Sequence, residues 1–186
     1  MRAVHCQSPR IDGLKAEISV MPALQKAPVT AYVALGANLG EAHQAVLRAI
    51  DALALLPGTE LTARSGLYRT APHEALGPDF VNAVAEIATR LSAPDLLDAL
   101  LSLEQQAGRM RPYSHAPRTL DLDLLFYGDA RVQSPRLTLP HPRWAQRAFV
   151  LVPLADVCPS RATKELLAAV ADQPIERILR SDGLTG

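Results

Sequence analysis

The segment at positions 117–126, PRTLDLDLLF, limits the folds open to this chain more than any other. Apolar residues alternate there with Asp121 and Asp123, and successive side chains of a β-strand point to opposite faces. The segment is therefore predicted to be a strand whose apolar face meets a core, through Leu120, Leu122, Leu124 and Phe126. The two carboxylates share the opposite face, roughly 6.5–7 Å apart along the strand.

Two carboxylates on one strand face are able to hold a hard cation between them. Mg²⁺ prefers oxygen ligands and usually keeps water and substrate phosphates in its shell. The plainer alternative is that Asp121 and Asp123 are solvated residues on the open face of a sheet. Arg109, Arg111 and Arg118 precede the strand and favour a site for Mg²⁺ and a nucleotide, because guanidinium groups pair with phosphate oxygens.

The overall charge argues against a general nucleic-acid binder. The 186 residues include 19 Lys and Arg and 19 Asp and Glu, whereas nucleic-acid-binding domains are usually basic. The two cysteines, Cys6 and Cys158, indicate neither a disulfide framework nor a CxxC metal site. There is no apolar run of transmembrane length and no apolar core of a secretory signal, so we expect a cytoplasmic protein.

Periodicity along the chain predicts an α+β fold. Residues 1–28 show no period and are expected to form an extension of low order, followed by a single domain over residues 29–186. Before the aspartate strand, strands are predicted at 29–35, 59–69 and 80–89, and helices at 41–55 and 92–108. This β-α-β-β-α-β order is that of the ferredoxin-like class (split βαβ), an antiparallel sheet covered by helices on one face.

The region after the aspartate strand is predicted in shorter pieces. Gly128-Asp129 is expected to form a hairpin turn into a short strand near residues 131–132. Short elements are expected at 137–140, 142–146 and 149–154. A C-terminal helical segment follows at 163–171, with a further turn at 175–179.

Several side chains are weak signals of a ligand site by themselves. Phe80 and Phe149 could sandwich a flat heterocycle, although ordinary core packing is the simpler alternative. Asn82 lies on the same predicted strand face as Phe80, and an amide can read the donors and acceptors of a heterocycle edge. The chain has no GxxxxGK[ST] motif, so a nucleotide site has to be built from side chains and metal.

Taken together, these segments resemble the 6-hydroxymethyl-7,8-dihydropterin pyrophosphokinases of folate biosynthesis. The resemblance rests on AYVALGANL at 31–39, YRT at 68–70, DFVN at 79–82, EQQAGRMR at 104–111, PRTLDLD at 117–123, LTLPH at 137–141 and RAF at 147–149. These motifs follow one order over most of the chain. They imply transfer of the β,γ-diphosphate of ATP to the hydroxymethyl oxygen of the pterin, with release of AMP.

The resemblance also implies roles for individual residues. Asp121 and Asp123 match ligands of two Mg²⁺ ions, and Asp123 is also a candidate acceptor of the hydroxyl proton. Arg109 and Arg118 match loop arginines that act on the transferring group. The implied ATP-binding residues are Glu104, Arg111, Leu124, Arg136, Thr138, His141 and Arg147. The implied pterin-binding residues are Thr70, Phe80, Asn82 and Phe149.

The chain departs from the family pattern in its loop at 71–78, which is slightly shorter than in some relatives, and at two further places. Ser114-His115 stands where relatives often carry Arg-Trp, and Pro142 stands where an aromatic residue is common.

The substrates implied are small molecules, and we expect a monomer that binds neither nucleic acid nor membranes. The alternatives are a non-catalytic ferredoxin-like binding module, which would need exposed sheet aromatics to bind RNA, and a degenerate pterin-binding homologue. The intact set of arginines and aspartates argues against the second alternative.

Overall fold

The computed structural model describes residues 26–72, 77–108 and 119–179. Most of the extension expected at residues 1–28 lies outside the described residues, so its low order stays a prediction. The elements run in the order β1 Val29–Ala37, α1 Ala42–Ala54, β2 Thr59–Arg64, β3 Leu67–Thr70, β4 Phe80–Thr89, α2 Ala93–Gln106 and β5 Asp121–Tyr127. The C-terminal part adds β6 Val132–Gln133, β7 Thr138–Leu139, a 3₁₀ turn at Trp144–Gln146, α3 Ala148–Val157, α4 Lys164–Ala168 and β8 Glu176–Ile178.

The main sheet is antiparallel, with the strand order β5-β1-β4-β3-β8, and β2 also pairs with β4. β2 and β3 pair with successive stretches of β4, so the single strand predicted at 59–69 is interrupted at Ser65-Gly66. The hydroxyl of Ser65 accepts a hydrogen bond from the Val84 amide at 2.9 Å, which replaces regular pairing at the break. With β2 and β3 counted as one strand, the order is the ferredoxin-like one, which confirms the predicted fold class.

Helices pack on both faces of this sheet, whereas the sequence predicted one covered face. On the first face, α1 and α2 bury a core that includes Val33, Leu35, Val46, Leu96, Leu100 and Leu122. On the second face, α3 packs against Val84 and Leu125. The prediction missed α3 because its sequence, AFVLVPLADV, is apolar around most of the helix and shows no clear period. Among the described residues, none of the helices has the length and apolar character needed to cross a bilayer.

Strand β5 changes its alternation part-way along. Leu124 faces the first core as predicted, whereas Phe126 lies in the second core, so its predicted face is wrong. The register with β1 slips at Leu125, which is the signature of a β-bulge. The ring of Phe126 then stands edge-on to Tyr32, with centroids 6.0 Å apart, and to Trp144, at 4.9 Å. The aspartates precede the bulge and keep their predicted face.

The C-terminal region also differs from the prediction in detail. β6 pairs with β7 in a separate two-stranded sheet rather than forming a hairpin with β5. The helix predicted at 163–171 is the shorter α4, whose first turn is capped by the Thr163 hydroxyl. Residues 176–178, predicted as part of a turn, form β8 at the edge of the sheet beside β3. Such short segments have too few residues for a period, so tertiary pairing decides their structure.

Candidate active site

The strand register brings three of the predicted site residues to one end of the second sheet face. Gly36 of β1 lies between Asn82 of β4 and Asp121 of β5. Two residues further along β5, on the same face, Asp123 pairs with Ala34. Two inter-strand spacings separate β5 from β4, so Asp121 and Asn82 stand roughly 10 Å apart across a glycine without a side chain. The arrangement leaves an open stretch of sheet surface at Gly36, between the carboxylates and the amide, which is called the floor of the site below.

The amide of Asn82 is held in a fixed orientation. Asn82 is only 4% exposed, and its Nδ2 donates a hydrogen bond to Thr70 Oγ1 at 3.0 Å. Its Oδ1 faces Gly36, because a Cβ added at Gly36 would lie 3.3 Å from that oxygen. Phe80 pairs with Thr70 across the two strands and is half-buried on the same face. The structure therefore groups Thr70, Phe80 and Asn82, as the sequence predicted.

The carboxylate pair is accompanied by a histidine. Asp121 and Asp123 are half-buried on one face of β5, and Asp123 Oδ2 lies 4.0 Å from His141 Nε2. His141 is placed there by the bulge in β5, because its amide donates to the carbonyl of Leu125 at 3.0 Å.

The protonation state of His141 follows from its surroundings. Burial lowers the pKa of His141, although Asp123 acts in the opposite direction. Its Nδ1 accepts a hydrogen bond from the Arg143 amide at 3.3 Å. A neutral imidazole with Nδ1 as acceptor carries its proton on Nε2, so Nε2–H is directed toward the Asp123 side of the site.

The donor set of the carboxylate pair fits Mg²⁺. Asp121 and Asp123 supply hard oxygen ligands, and within the described residues no group of three His, Cys, Asp or Glu side chains forms a cage. Mg²⁺ is usually held by one or two carboxylates while phosphate oxygens and water complete its octahedron. Two carboxylates beside an open floor meet that requirement without further protein ligands.

Glu104 of α2 holds the backbone of the aspartate segment through a hydrogen bond. It is 1% exposed on α2, and its Oε1 accepts the Leu122 amide at 2.8 Å. Leu122 lies between the two aspartates on β5, so this buried contact holds the backbone that carries them. The role of Glu104 in ATP binding stays a prediction.

The other predicted ATP-binding residues are more dispersed. Arg136 is exposed and ion-paired with Asp98 of α2 at 2.6 Å, and Thr138 lies on β7. The side chain of Leu124 is buried in the first core, facing away from the carboxylates, so only its backbone remains for a ligand. Arg109, Arg111 and Arg118 lie outside the described residues, as do Ser114 and His115.

Arg147 and Phe149 lie together where α3 begins. The guanidinium carbon of Arg147 is 5.3 Å from the centroid of the Phe149 ring, which is a cation–π distance. Phe149 is half-buried beside the second core. One residue predicted to bind ATP and one predicted to stack on the pterin are thus in contact.

Sequence reasoning missed two residues that shape this site. Gly36 keeps the floor open, and Asn38, itself buried, donates from Nδ2 to the Pro78 carbonyl at 3.2 Å. That bond ties the end of β1 to the segment that leads into Phe80. Both residues belong to the GANLG segment, which contributed to the family resemblance without a role for either residue.

Comparison with known proteins decides the family. The family model described as 7,8-dihydro-6-hydroxymethylpterin-pyrophosphokinase (HPPK) matches residues 32–159, well over half of the chain. The chain belongs to this family. The match to the HPPK family spans the described site residues, from Gly36 to Phe149, and ends before α4.

Individual relatives agree with this assignment. A 2-amino-4-hydroxy-6-hydroxymethyldihydropteridine pyrophosphokinase of Pseudomonas aeruginosa is 47% identical over 154 residues, covering 79% of this chain and 95% of that protein. A protein of the same name from Synechocystis is 45% identical over 129 residues, covering 69% of this chain and 66% of that protein. These similarities to proteins named as pyrophosphokinases support the HPPK assignment.

Solved structures support the fold. A Plasmodium falciparum HPPK-DHPS structure superimposes with a TM-score of 0.62 at 12% identity, covering 84% of this chain and 47% of that one. The chain thus spans slightly less than half of that longer chain.

Proposed function

We propose that this protein transfers the β,γ-diphosphate of ATP to the hydroxymethyl oxygen of 6-hydroxymethyl-7,8-dihydropterin, releasing AMP and the pterin diphosphate. Membership of the HPPK family supports a pyrophosphokinase of folate biosynthesis. The observation that carries the proposal is the row Asp121, Gly36 and Asn82. Under this proposal, phosphate and metal would bind beside the heterocycle edge on one sheet face.

The pterin is proposed to bind against the Asn82 side of the floor. Asn82 Oδ1 points toward Gly36 and can accept from the heterocycle edge, while its Nδ2 is held by Thr70. Phe80 and Phe149 are the two half-buried rings available to stack on its faces. Such a pair of stacking contacts is worth about 0.5–1.5 kcal/mol each beyond the area they bury.

The phosphates are proposed to bind on the carboxylate side. Asp121 and Asp123 would hold Mg²⁺, which when bound lowers the pKa of the acceptor hydroxyl and neutralises phosphate charge. Asp123 is the proposed acceptor of the hydroxyl proton. His141 Nε2–H and the Arg147 guanidinium supply a neutral and a charged donor for phosphate oxygens. Arg109 and Arg118 are proposed to act on the transferring group.

The reaction is tested by its nucleotide product. The protein is incubated with ATP, Mg²⁺ and 6-hydroxymethyl-7,8-dihydropterin, and the products are separated by chromatography. AMP and pterin diphosphate in equal amounts are expected. ADP in place of AMP would refute pyrophosphoryl transfer, and the absence of any nucleotide product would favour a non-catalytic binding module or a degenerate homologue.

Gly36→Ala is expected to weaken pterin binding. The added methyl group would meet Asn82 Oδ1 at 3.3 Å, so the amide must give way by a few tenths of an ångström, which disturbs its bond to Thr70 on the other side. Overpacking costs about 1–3 kcal/mol, and KM for the pterin should therefore rise about tenfold or more. Steady-state kinetics with each substrate varied in turn provide the measurement. The KM for ATP is the internal control, and an equal rise in both constants would contradict a specific effect through Asn82.

Asp98→Ala is expected to change ATP binding only slightly. Arg136 is 69% exposed in its pair with Asp98, and surface ion pairs contribute about 0–1 kcal/mol. Release of Arg136 from Asp98 should therefore lower the KM for ATP by at most about fivefold. If Arg136 binds ATP, Arg136→Ala raises that KM instead. Identical kinetics for both variants and the wild type would count against a role for Arg136.

We further propose that the protein is a monomer with small-molecule substrates. Within the described ranges the exposed large hydrophobic residues are Leu55 and Leu179, and scattered apolar residues do not form an interface. Size-exclusion chromatography with light scattering should give about the chain mass of 20.0 kDa. A mass of twice that value would refute the monomer.

A further inference from the structure

Gln173 lies outside the segment matched by the HPPK family model, which ends at residue 159. Its side chain nevertheless contacts the backbone on both sides of Arg147. Gln173 Oε1 accepts the amide of Ala148 at 2.8 Å, and Gln173 Nε2 donates to the carbonyl of Gln146 at 3.0 Å. The carboxamide thus pairs with the two peptide groups that flank Arg147, in the way that a neighbouring strand would.

These two bonds satisfy groups that the local sequence leaves without a partner. Arg147 occupies the N-cap position of α3 and its side chain makes no capping bond. The first amides of a helix have no partner inside the helix, and Gln173 supplies one for Ala148 from a separate segment. Arg147 itself has an extended backbone, with φ −129° and ψ 117°, between the 3₁₀ turn and α3.

The parts on either side of Arg147 are anchored without Gln173. On one side, Trp144 packs edge-on against Phe126. On the other side, Val150 and Leu151 of α3 are buried in the second core. Loss of the carboxamide should therefore leave the fold intact while the backbone of Arg147, between the two anchors, gains freedom.

We propose that Gln173 is a positioning residue of the active site, which orients Arg147 toward the phosphates and Phe149 toward the heterocycle. The inference rests on the proposed function, because it assigns those two contacts to ATP and pterin. Arg147 and Phe149 already touch, at 5.3 Å, so a change in the backbone between Gln146 and Ala148 reaches both. Gln173 acts through these residues and does not contact substrate.

Gln173→Ala tests the proposal in the full chain. We expect KM for both substrates to rise about tenfold, on the scale of two lost hydrogen bonds, with a smaller change in kcat. Trp144 is the single tryptophan of the chain, and it begins the turn that Gln173 holds. In Gln173→Ala the fluorescence emission of Trp144 should shift to longer wavelength, and its indole ring should become more accessible to the quencher acrylamide. This readout does not depend on turnover.

Ser92→Ala is the matched control. Ser92 caps α2 by accepting the Asp95 amide at 3.3 Å, and loss of such a cap lowers stability to a similar extent. It lies at the opposite end of α2 from Glu104, so KM and Trp144 emission should stay at wild-type values. Equal changes in the two variants would overturn the proposal, because Gln173 would then act through stability alone.

Gln173→Glu keeps the test decisive if the alanine variant does not fold. It retains an acceptor for the Ala148 amide but, as a carboxylate, cannot donate to the Gln146 carbonyl, so a KM above that of the wild type and an emission at longer wavelength are expected. Wild-type values in both would overturn the proposal. If the wild type releases no AMP, the proposed function fails, while the Trp144 emission still decides whether Gln173 holds the turn.

Discussion

Alanine at Asp121 or Asp123 is expected to remove Mg²⁺-dependent AMP release while the fold is retained. The rate should fall by roughly 10³-fold or more, because each substitution removes a hard oxygen ligand of Mg²⁺. Loss of one preorganised donor typically lowers the rate by roughly 10²–10³-fold, and loss of a metal ligand should lower it at least as much. Stability should change little, because Asp123 is 40% exposed and ion pairs at such exposed positions contribute only about 0–1 kcal/mol. AMP release gives the rate, and thermal unfolding gives the stability.

Asp129→Ala is the matched control for the carboxylates. Asp129 follows the other end of β5, where it is exposed and pairs with Arg161 at 2.8 Å. Its loss removes the same charge from the same segment, so turnover should stay at the wild-type rate. Mn²⁺ binding in the presence of a non-hydrolysable ATP analogue separates ligand loss from other causes, since both site variants should bind fewer ions. Full activity in Asp121→Ala and Asp123→Ala would rule out the metal assignment.

Arg118→Ala is expected to lower kcat by roughly 10²-fold or more, the scale of one preorganised donor to developing charge. Arg118 lies outside the described residues, but it stands three positions before Asp121, a reach of about 10 Å in an extended chain. A guanidinium at that distance can reach phosphates bound at the carboxylates. Single-turnover formation of AMP under saturating substrates provides the measurement.

Two variants qualify the result for Arg118. Arg118→Lys keeps the charge but loses the planar fork of donors, so an intermediate rate is expected. Arg131→Ala removes an exposed arginine beyond the other end of β5 and should leave kcat unchanged. A wild-type rate in Arg118→Ala, or equal losses in Arg118→Ala and Arg131→Ala, would contradict a specific role in the transfer.

The active site was predictable where its residues lie close together in sequence. The placement of Asp121 and Asp123 on one strand face followed from alternation alone, and it stands in the structure. Alternation did not reveal that the strand changes face at Leu125, because the slip is defined by the pairing with β1. That slip directs the Leu125 carbonyl to His141, so the histidine beside Asp123 could be named from the resemblance but not positioned.

In the fold, too, some elements were predictable from the sequence and others were not. The β-α-β-β-α-β order came from periodicity, since the amphipathic helices α1 and α2 and the alternating strands each carry their own signal. The second helical layer did not, because a helix that is apolar around most of its surface has no period to detect. The short strands β6, β7 and β8 are defined by partners rather than by composition.

The sequence by itself determined the fold class, the family and the identity of the residues proposed to act on ATP and pterin. These depend on local alternation and on motifs whose residues are near neighbours in the chain. Only the tertiary structure decided that Gly36 separates Asp121 from Asn82 and that Gln173 holds the backbone around Arg147. The physical reason is that such contacts arise from strand register and long-range hydrogen bonds, which no local pattern of residue types encodes.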